Sequence, residues 1–184
     1  EESWSNQFRM QYRLSRLVLT ASADASWVKV SSEEKVKLEG YGKKRGEAGW
    51  MLQGQYQPSD RSGLYLIYRG EWFDGKLIPL IPSVGAEWKV MKDYPLALKM
   101  NLTRNYHKPG LNDLYWNPGG NPELLPEEGI TGEIMLSSEG DKAPRFLNQE
   151  ISLFCSDIRN WILWQPAANG AWYWEATNIG LVRS

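Results

Sequence analysis

Apolar and polar side chains alternate with period two over stretches of about ten residues, and this constrains the chain more than any other feature. Phe8, Met10, Tyr12 and Leu14 fall on one side of the first stretch, with Arg9, Gln11 and Arg13 on the other. After Ser15-Arg16, Leu17, Leu19, Ala21, Ala23, Ala25 and Trp27 alternate with Val18, Thr20, Ser22, Asp24 and Ser26. A helix would mix Asp24 and Thr20 into the apolar stripe, so the period is that of a strand. The same alternation sets Ala48, Trp50, Leu52, Gly54 and Tyr56 against Met51, Gln53 and Gln55, and Leu64, Leu66, Tyr68, Gly70 and Trp72 against Tyr65, Ile67, Arg69 and Glu71. It continues with Val84, Ala86, Trp88 and Val90, then with Leu98, Met100 and Leu102.

Weaker strands are expected near 129–137, 146–158 and 172–183, which makes about nine strands and no helix. Short connections (15–16, 58–62, 92–95, 138–145) take turns with long ones (31–45, 73–81, 105–127, 159–171). That rhythm predicts an all-β, antiparallel up-and-down meander occupying 1–184 as one unit. Strands of about ten residues are longer than the ~5–6 usual in soluble sheets.

Composition removes several classes of function. The 184 residues carry a net charge of −1, which argues against nucleic acid as the main partner. No apolar run reaches the ~18 residues of a transmembrane helix, and the N-terminal E-E-S-W-S-N-Q has no leader-like pattern. One cysteine and one histidine leave little for a disulfide, a thiolate zinc site or a Ser-His nucleophile. No G-x-S-x-G, P-loop or dinucleotide fingerprint is present, and the pairs Glu33-Glu34 and Glu127-Glu128 read as solvated loop carboxylates. The expectation is no enzyme, no metal and no cofactor.

Ten tryptophans and nine tyrosines call for surfaces where a ring is apolar at one end and wet at the other. Three architectures meet that demand: a transmembrane barrel with an aromatic girdle, a soluble lipocalin-like barrel holding a small molecule, and a tryptophan-rich carbohydrate-binding sandwich. Trp27, Trp72 and Trp50 sit near the ends that lead into long loops, where an outer girdle would lie. Alternation alone leaves the three open, because a soluble sheet with one face in a core gives the same pattern.

One stretch goes further. Between 98 and 128 the chain carries Tyr106, Pro109, Leu111, Leu114 and Tyr115, then Gly120, Asn121, Pro122, Leu124, Pro126 and Glu127. This resembles the barrel signature of TonB-dependent outer-membrane receptors, in which an aromatic-basic-x-Pro strand end is followed by Leu-x-x-Leu-Tyr and Gly-Asn-Pro-x-Leu-x-Pro-Glu. His107 stands at an expected basic position, with Lys108 beside it. Ile81 to Trp88, Asp157 to Trp164 and Asn178-Ile179-Gly180 are similar to the flanking strands. The resemblance is strong over about 80–184, and its wording is nearest to the cobalamin- and siderophore-receptor branch.

The resemblance implies a wall segment of a barrel of about 22 strands whose lumen holds a plug domain. It implies import of cobalamin, a ferric siderophore or haem across the cell outer membrane, with outer-membrane lipid around the barrel and TonB engaged through the plug region. Neither plug nor TonB-binding segment is legible in 1–184. About nine strands would leave two edges, so closure into a smaller barrel, pairing with a second copy and aggregation all stay open. Candidate substrate contacts in the outer loops are His107, Tyr115, Trp116, Asn117, Trp161 and Trp164. Tyr115 and Trp116 could equally pack the loop onto the rim, and Trp161 and Trp164, with Trp172 and Trp174, could anchor at the headgroup boundary. Glu87, Lys89, Lys99 and Asn101 form a polar row that would face the lumen. Cys155 alternates with Ile151 and Leu153 and reads as a small apolar residue on the outer face.

Overall fold

The computed structural model describes residues 2–32, 40–92, 94–138, 149–168 and 170–184. Ten strands form one antiparallel sheet: β1 (Glu2–Leu14), β2 (Leu17–Ser32), β3 (Tyr41–Ser59), β4 (Ser62–Phe73), β5 (Lys76–Leu77), β6 (Ile81–Lys89), β7 (Leu96–His107), β8 (Glu127–Ser138), β9 (Gln149–Pro166) and β10 (Trp174–Arg183). Nine of them follow chain order across the sheet, β1-β2-β3-β4-β6-β7-β8-β9-β10, while the two-residue β5 pairs with β4. The meander is therefore as expected, and the sheet is open, with β1 and β10 at its edges.

Register explains why alternation was so legible. One row of directly paired residues reads Leu19, Gly54, Leu66, Val84, Leu102, Gly132 and Cys155 across seven strands. The neighbouring row reads Thr20, Gln53, Ile67, Ser83, Thr103, Thr131 and Ser156. Successive side chains point to opposite faces, so the first row is apolar and the second hydrogen-bonds along itself. Gln11 donates to Thr20, the Ser83 and Thr103 hydroxyls lie 2.8 Å apart, and Thr131 and Ser156 lie 2.9 Å apart.

The two faces differ in shape as well as chemistry. Met51 of β3 and Ile158 of β9, five strands apart in sheet order, line one cavity of about 440 Å³, so the polar face is concave. The apolar face is convex and uncovered: Leu66 and Leu102 are 54% and 52% exposed in mid-sheet. Among the described residues the buried apolar side chains are few, and Phe73, Ile78 and Ile81 cluster together with Tyr106 packed against them. A soluble barrel or sandwich would bury the Leu66–Leu102 row, and this sheet does not.

Several expected boundaries are corrected. The 31–45 loop is shorter, because β2 runs to Ser32 and β3 starts at Tyr41, with Ser32 paired to Tyr41 five rungs beyond the Trp27–Gly46 pair. The 159–171 loop is shorter too: β9 continues to Pro166, through Asn160 with its φ of 56°. β7 extends to His107, and the 105–127 stretch contains one helical turn, α1 (Leu111–Tyr115), where no helix was expected. Glu33-Glu34 and most of the 138–145 connection lie outside the described residues.

Candidate functional site

The long connections gather at one end of the sheet, and the segment from Lys108 to Pro126 is the largest described there. Its start is shaped by prolines and glycines that forbid a continuing strand, after which α1 forms over Leu111–Tyr115. Asp113, the third residue of the helix, reaches back to accept the Gly110 N–H at 2.9 Å, closing the first turn. Trp116 N–H donates to Asn112 O at 2.9 Å and Gly120 N–H to Trp116 O at 2.7 Å, so the chain stays coiled past the helix.

Tyr115 and Trp116 lie against Tyr41 at the start of β3. The Tyr41 ring stands 6.4 Å from Tyr115 and 6.5 Å from Trp116, and the Tyr41 hydroxyl donates to Asn112 Oδ1. Lys43 Nζ sits 4.5 Å above the Tyr115 ring, a cation–π contact. Trp116 keeps 40% of its surface exposed, and Asn117 follows it in the turn before Pro118. His107, at the end of β7, lines two concavities at once. One is the 440 Å³ cavity, with Arg69, Asn105 and Glu127; the other, of about 560 Å³, is formed with Arg45, Lys108 and Pro109.

Trp164 joins this group from β9: its indole N–H donates to Asp113 Oδ1 at 2.9 Å. Trp161, three residues earlier, points to the opposite face of the same strand, so the structure does not bring it to the others. The row of Glu87, Lys89, Lys99 and Asn101 lies toward the short-turn end. Glu87 faces Lys99 in register and accepts from the Tyr65 hydroxyl at 3.1 Å, Asn101 accepts from Ser83 at 3.1 Å, and Lys89 lends its carbonyl to Arg61. The row shares the concave face with Ser83 and Thr103.

Four basic side chains at the long-connection end each meet a carboxylate, Glu71 serving two of them, while Lys43 and Lys44 sit over aromatic rings. Arg45 Nε meets Asp74 Oδ2 at 2.9 Å, Lys108 Nζ meets Glu47 at 2.7 Å and Glu71 at 3.6 Å, Arg69 meets Glu71 at 3.3 Å, and Arg104 meets Glu128 at 3.1 Å. Glu127 accepts the Ile162 N–H at 2.8 Å. Among the described residues no group of three or more His, Cys, Asp or Glu side chains is placed to hold a metal ion.

Arg45 and Asp113 escaped the sequence reading, and Asn178 entered it only as part of a strand. Arg45 stands in a charged run, Lys43-Lys44-Arg45, that reads as loop, and the contacts of Asp113 with Trp164 and of Asn178 with Leu125 join residues more than 50 apart. No local signal marks these contacts.

Comparison with known proteins agrees with this geometry. Residues 5–184 match the family model described as TonB dependent receptor-like, beta-barrel. The chain is 32% identical over 133 residues to the vitamin B12 transporter BtuB of Photobacterium profundum, covering 65% of this chain and 21% of that protein. It is 35% identical over 74 residues to the BtuB of Vibrio vulnificus, covering 40% of this chain and 11% of that one. Its fold is similar to the siderophore receptor PirA of Pseudomonas aeruginosa, with a TM-score of 0.75 at 16% identity over 97% of this chain and 34% of that one. The copper transporter OprC gives a TM-score of 0.74 at 15% identity, over 98% of this chain and 33% of that one. The chain thus spans about a fifth of the first curated relative and a third of the solved receptors. An open meander with an uncovered apolar face and a family match over nearly its whole length leave one assignment: the chain belongs to the TonB-dependent receptor-like β-barrel family, whose members are outer-membrane transport receptors rather than enzymes.

Proposed function

We propose that this chain is wall from an outer-membrane TonB-dependent importer whose nutrient is large, amide-rich and of low net charge, with cobalamin as the best candidate. The observation that carries the reading is the charge matching at the mouth. Arg45, Lys108, Arg69 and Arg104 each meet a carboxylate, so this part of the wall offers a ligand mixed apolar and hydrogen-bonding surface rather than a cationic field. The B12-transporter relatives at 32% and 35% identity support the same class. Ferric siderophores are the second reading; the fold likeness to PirA supports it less, because it is a likeness of fold.

Tyr115, Trp116 and Asn117 contact the ligand at the rim, and His107 borders the two concavities beneath them. Trp164 contributes by holding Asp113. The Glu87–Asn101 row faces the lumen and the plug, through which TonB supplies energy. Outer-membrane lipid covers the convex face, where the Leu66–Leu102 row is exposed.

The test is binding to the complete receptor in detergent, with cyanocobalamin and a ferric catecholate as ligands, at low and high salt. Cyanocobalamin should bind with an affinity that changes less than about 3-fold across the range, because few charges are screened. Trp116→Ala should weaken it about 10-fold, the equivalent of about 1.4 kcal/mol. Tight, steeply salt-dependent binding of the ferric catecholate with none of cyanocobalamin would overturn the reading.

A further inference from the structure

The segment between β7 and β8 is held at both sides of the wall. On one side Arg45 of β3, only 5% exposed, donates from Nη1 to Pro109 O at 2.9 Å and from Nε to Asp74 Oδ2 at 2.9 Å. Its guanidinium and the Lys108 ammonium flank the Phe73 ring, at 5.5 and 5.4 Å from the centroid. Lys108 is fixed in turn by Glu47 and Glu71.

On the other side the partners are β9 and β10. Trp164 donates to Asp113, whose second oxygen closes the helix turn, so the indole holds α1 itself. Ala176 N–H donates to Gly119 O at 2.7 Å. Asn178 accepts the Leu125 N–H at 2.8 Å through Oδ1, and donates through Nδ2 to Leu125 O at 3.0 Å and Asn160 O at 2.7 Å. Its amide thereby copies a strand's donor and acceptor. In the sheet, β6, β7 and β8 lie between these two sets of anchors.

A loop tied at one side swings; a loop tied at both, with its carbonyls and N–H groups engaged, has little freedom left to lose. We infer that residues 108–126 are a static brace spanning the concave side of the wall, and that Arg45 and Trp164 are the positioning residues at its two feet. The brace presents Tyr115 and Trp116 as a fixed surface, so the ligand meets them preformed and any closing motion at the mouth belongs to other connections. A polar core placed this way also explains why Arg45 is buried where few described residues are: the rigid fork of a guanidinium aims Nη1 at the Pro109 carbonyl and Nε at the Asp74 carboxylate from fixed positions in one plane, a geometry that the single nitrogen of an ammonium does not preset.

Hydrogen–deuterium exchange of the complete receptor in detergent, without ligand, tests this directly. Peptides covering 110–121 should exchange at least about 100-fold slower than a random coil, approaching strand peptides from 97–104. Arg45→Met and Trp164→Phe should each speed exchange in 110–121 by about 10-fold while leaving 97–104 unchanged, and Arg45→Lys should fall between wild type and Arg45→Met. Trp164→Phe keeps an aromatic ring at the position while removing the N–H together with the pyrrole half of the indole, so it reports even where Arg45→Met impairs folding. Random-coil exchange across 110–121 in the unmodified receptor would overturn the brace. Unchanged exchange in both variants would overturn the assignment of its feet.

Discussion

Both ends of the sheet use arginine to hold the backbone of a neighbouring connection, and they use it differently. At the short-turn end Arg16 Nη1 donates to Pro58 O at 2.5 Å, and Arg61 donates to Lys89 O at 3.0 and 3.2 Å and to Val90 O at 2.7 Å. These side chains lie in water, where a lost hydrogen bond is replaced by solvent. At the long-connection end Arg45 performs the same kind of contact from a buried position, with a carboxylate and an aromatic ring around it. The comparison teaches that turn stitching is optional where water can substitute for it and obligatory where it cannot.

The strongest way to sharpen the contrast is at Gly119, whose φ is +110° and whose added Cβ would fall 1.8 Å from the Trp174 carbonyl oxygen. Gly119→Val should therefore cost more than about 3 kcal/mol, read by denaturant unfolding of the receptor in lipid bilayers, because neither the left-handed backbone nor the opposing carbonyl can yield. Arg45→Met comes next, at about 2 kcal/mol by the same measurement, since it strands the buried Pro109 carbonyl, while the half-exposed Asp74 carboxylate turns to water. Arg61→Met should cost only about 0.5–1 kcal/mol, and Arg16→Met about 0.5 kcal/mol or less, as exposed contacts usually do. Equal costs at Arg45 and Arg61 would break the comparison and assign the difference to something other than burial.

Legibility in the sequence follows the same division. Where one face is apolar and uncovered and the other is a polar concavity, period two is enforced residue by residue, and the runs from Phe8 to Trp27 and from Leu64 to Trp72 could be read directly. Beyond that band both faces of a strand meet water or loop, and the signal fades although the strand continues. Lys43, Lys44 and Arg45 belong to β3 and read as loop for this reason, as do Trp161 to Gln165 of β9. Within the site, the aromatic residues at 115 and 116 and the prolines around them were visible as a motif. What fixes them was not: Arg45 meets Pro109 across 64 residues and Trp164 meets Asp113 across 51, and no local pattern encodes a partner at that distance. The resemblance to a receptor family supplied the architecture, while the contacts had to come from the folded chain.

The five rungs by which β2 and β3 outrun the Trp27–Gly46 pair carry this strand pair as far as the 108–126 segment. At about 3.4 Å per residue, reduced by strand tilt, they lift the Ser32–Tyr41 pair roughly 13 Å beyond the Trp27–Gly46 pair. β4 stops pairing at Glu47, so this stretch of β3 rises past its neighbour with β2 alone beside it. The wall thus carries a two-stranded mast, and because Tyr41 and Lys43 near its tip stand against Tyr115 and Trp116, it buttresses the 108–126 segment from behind.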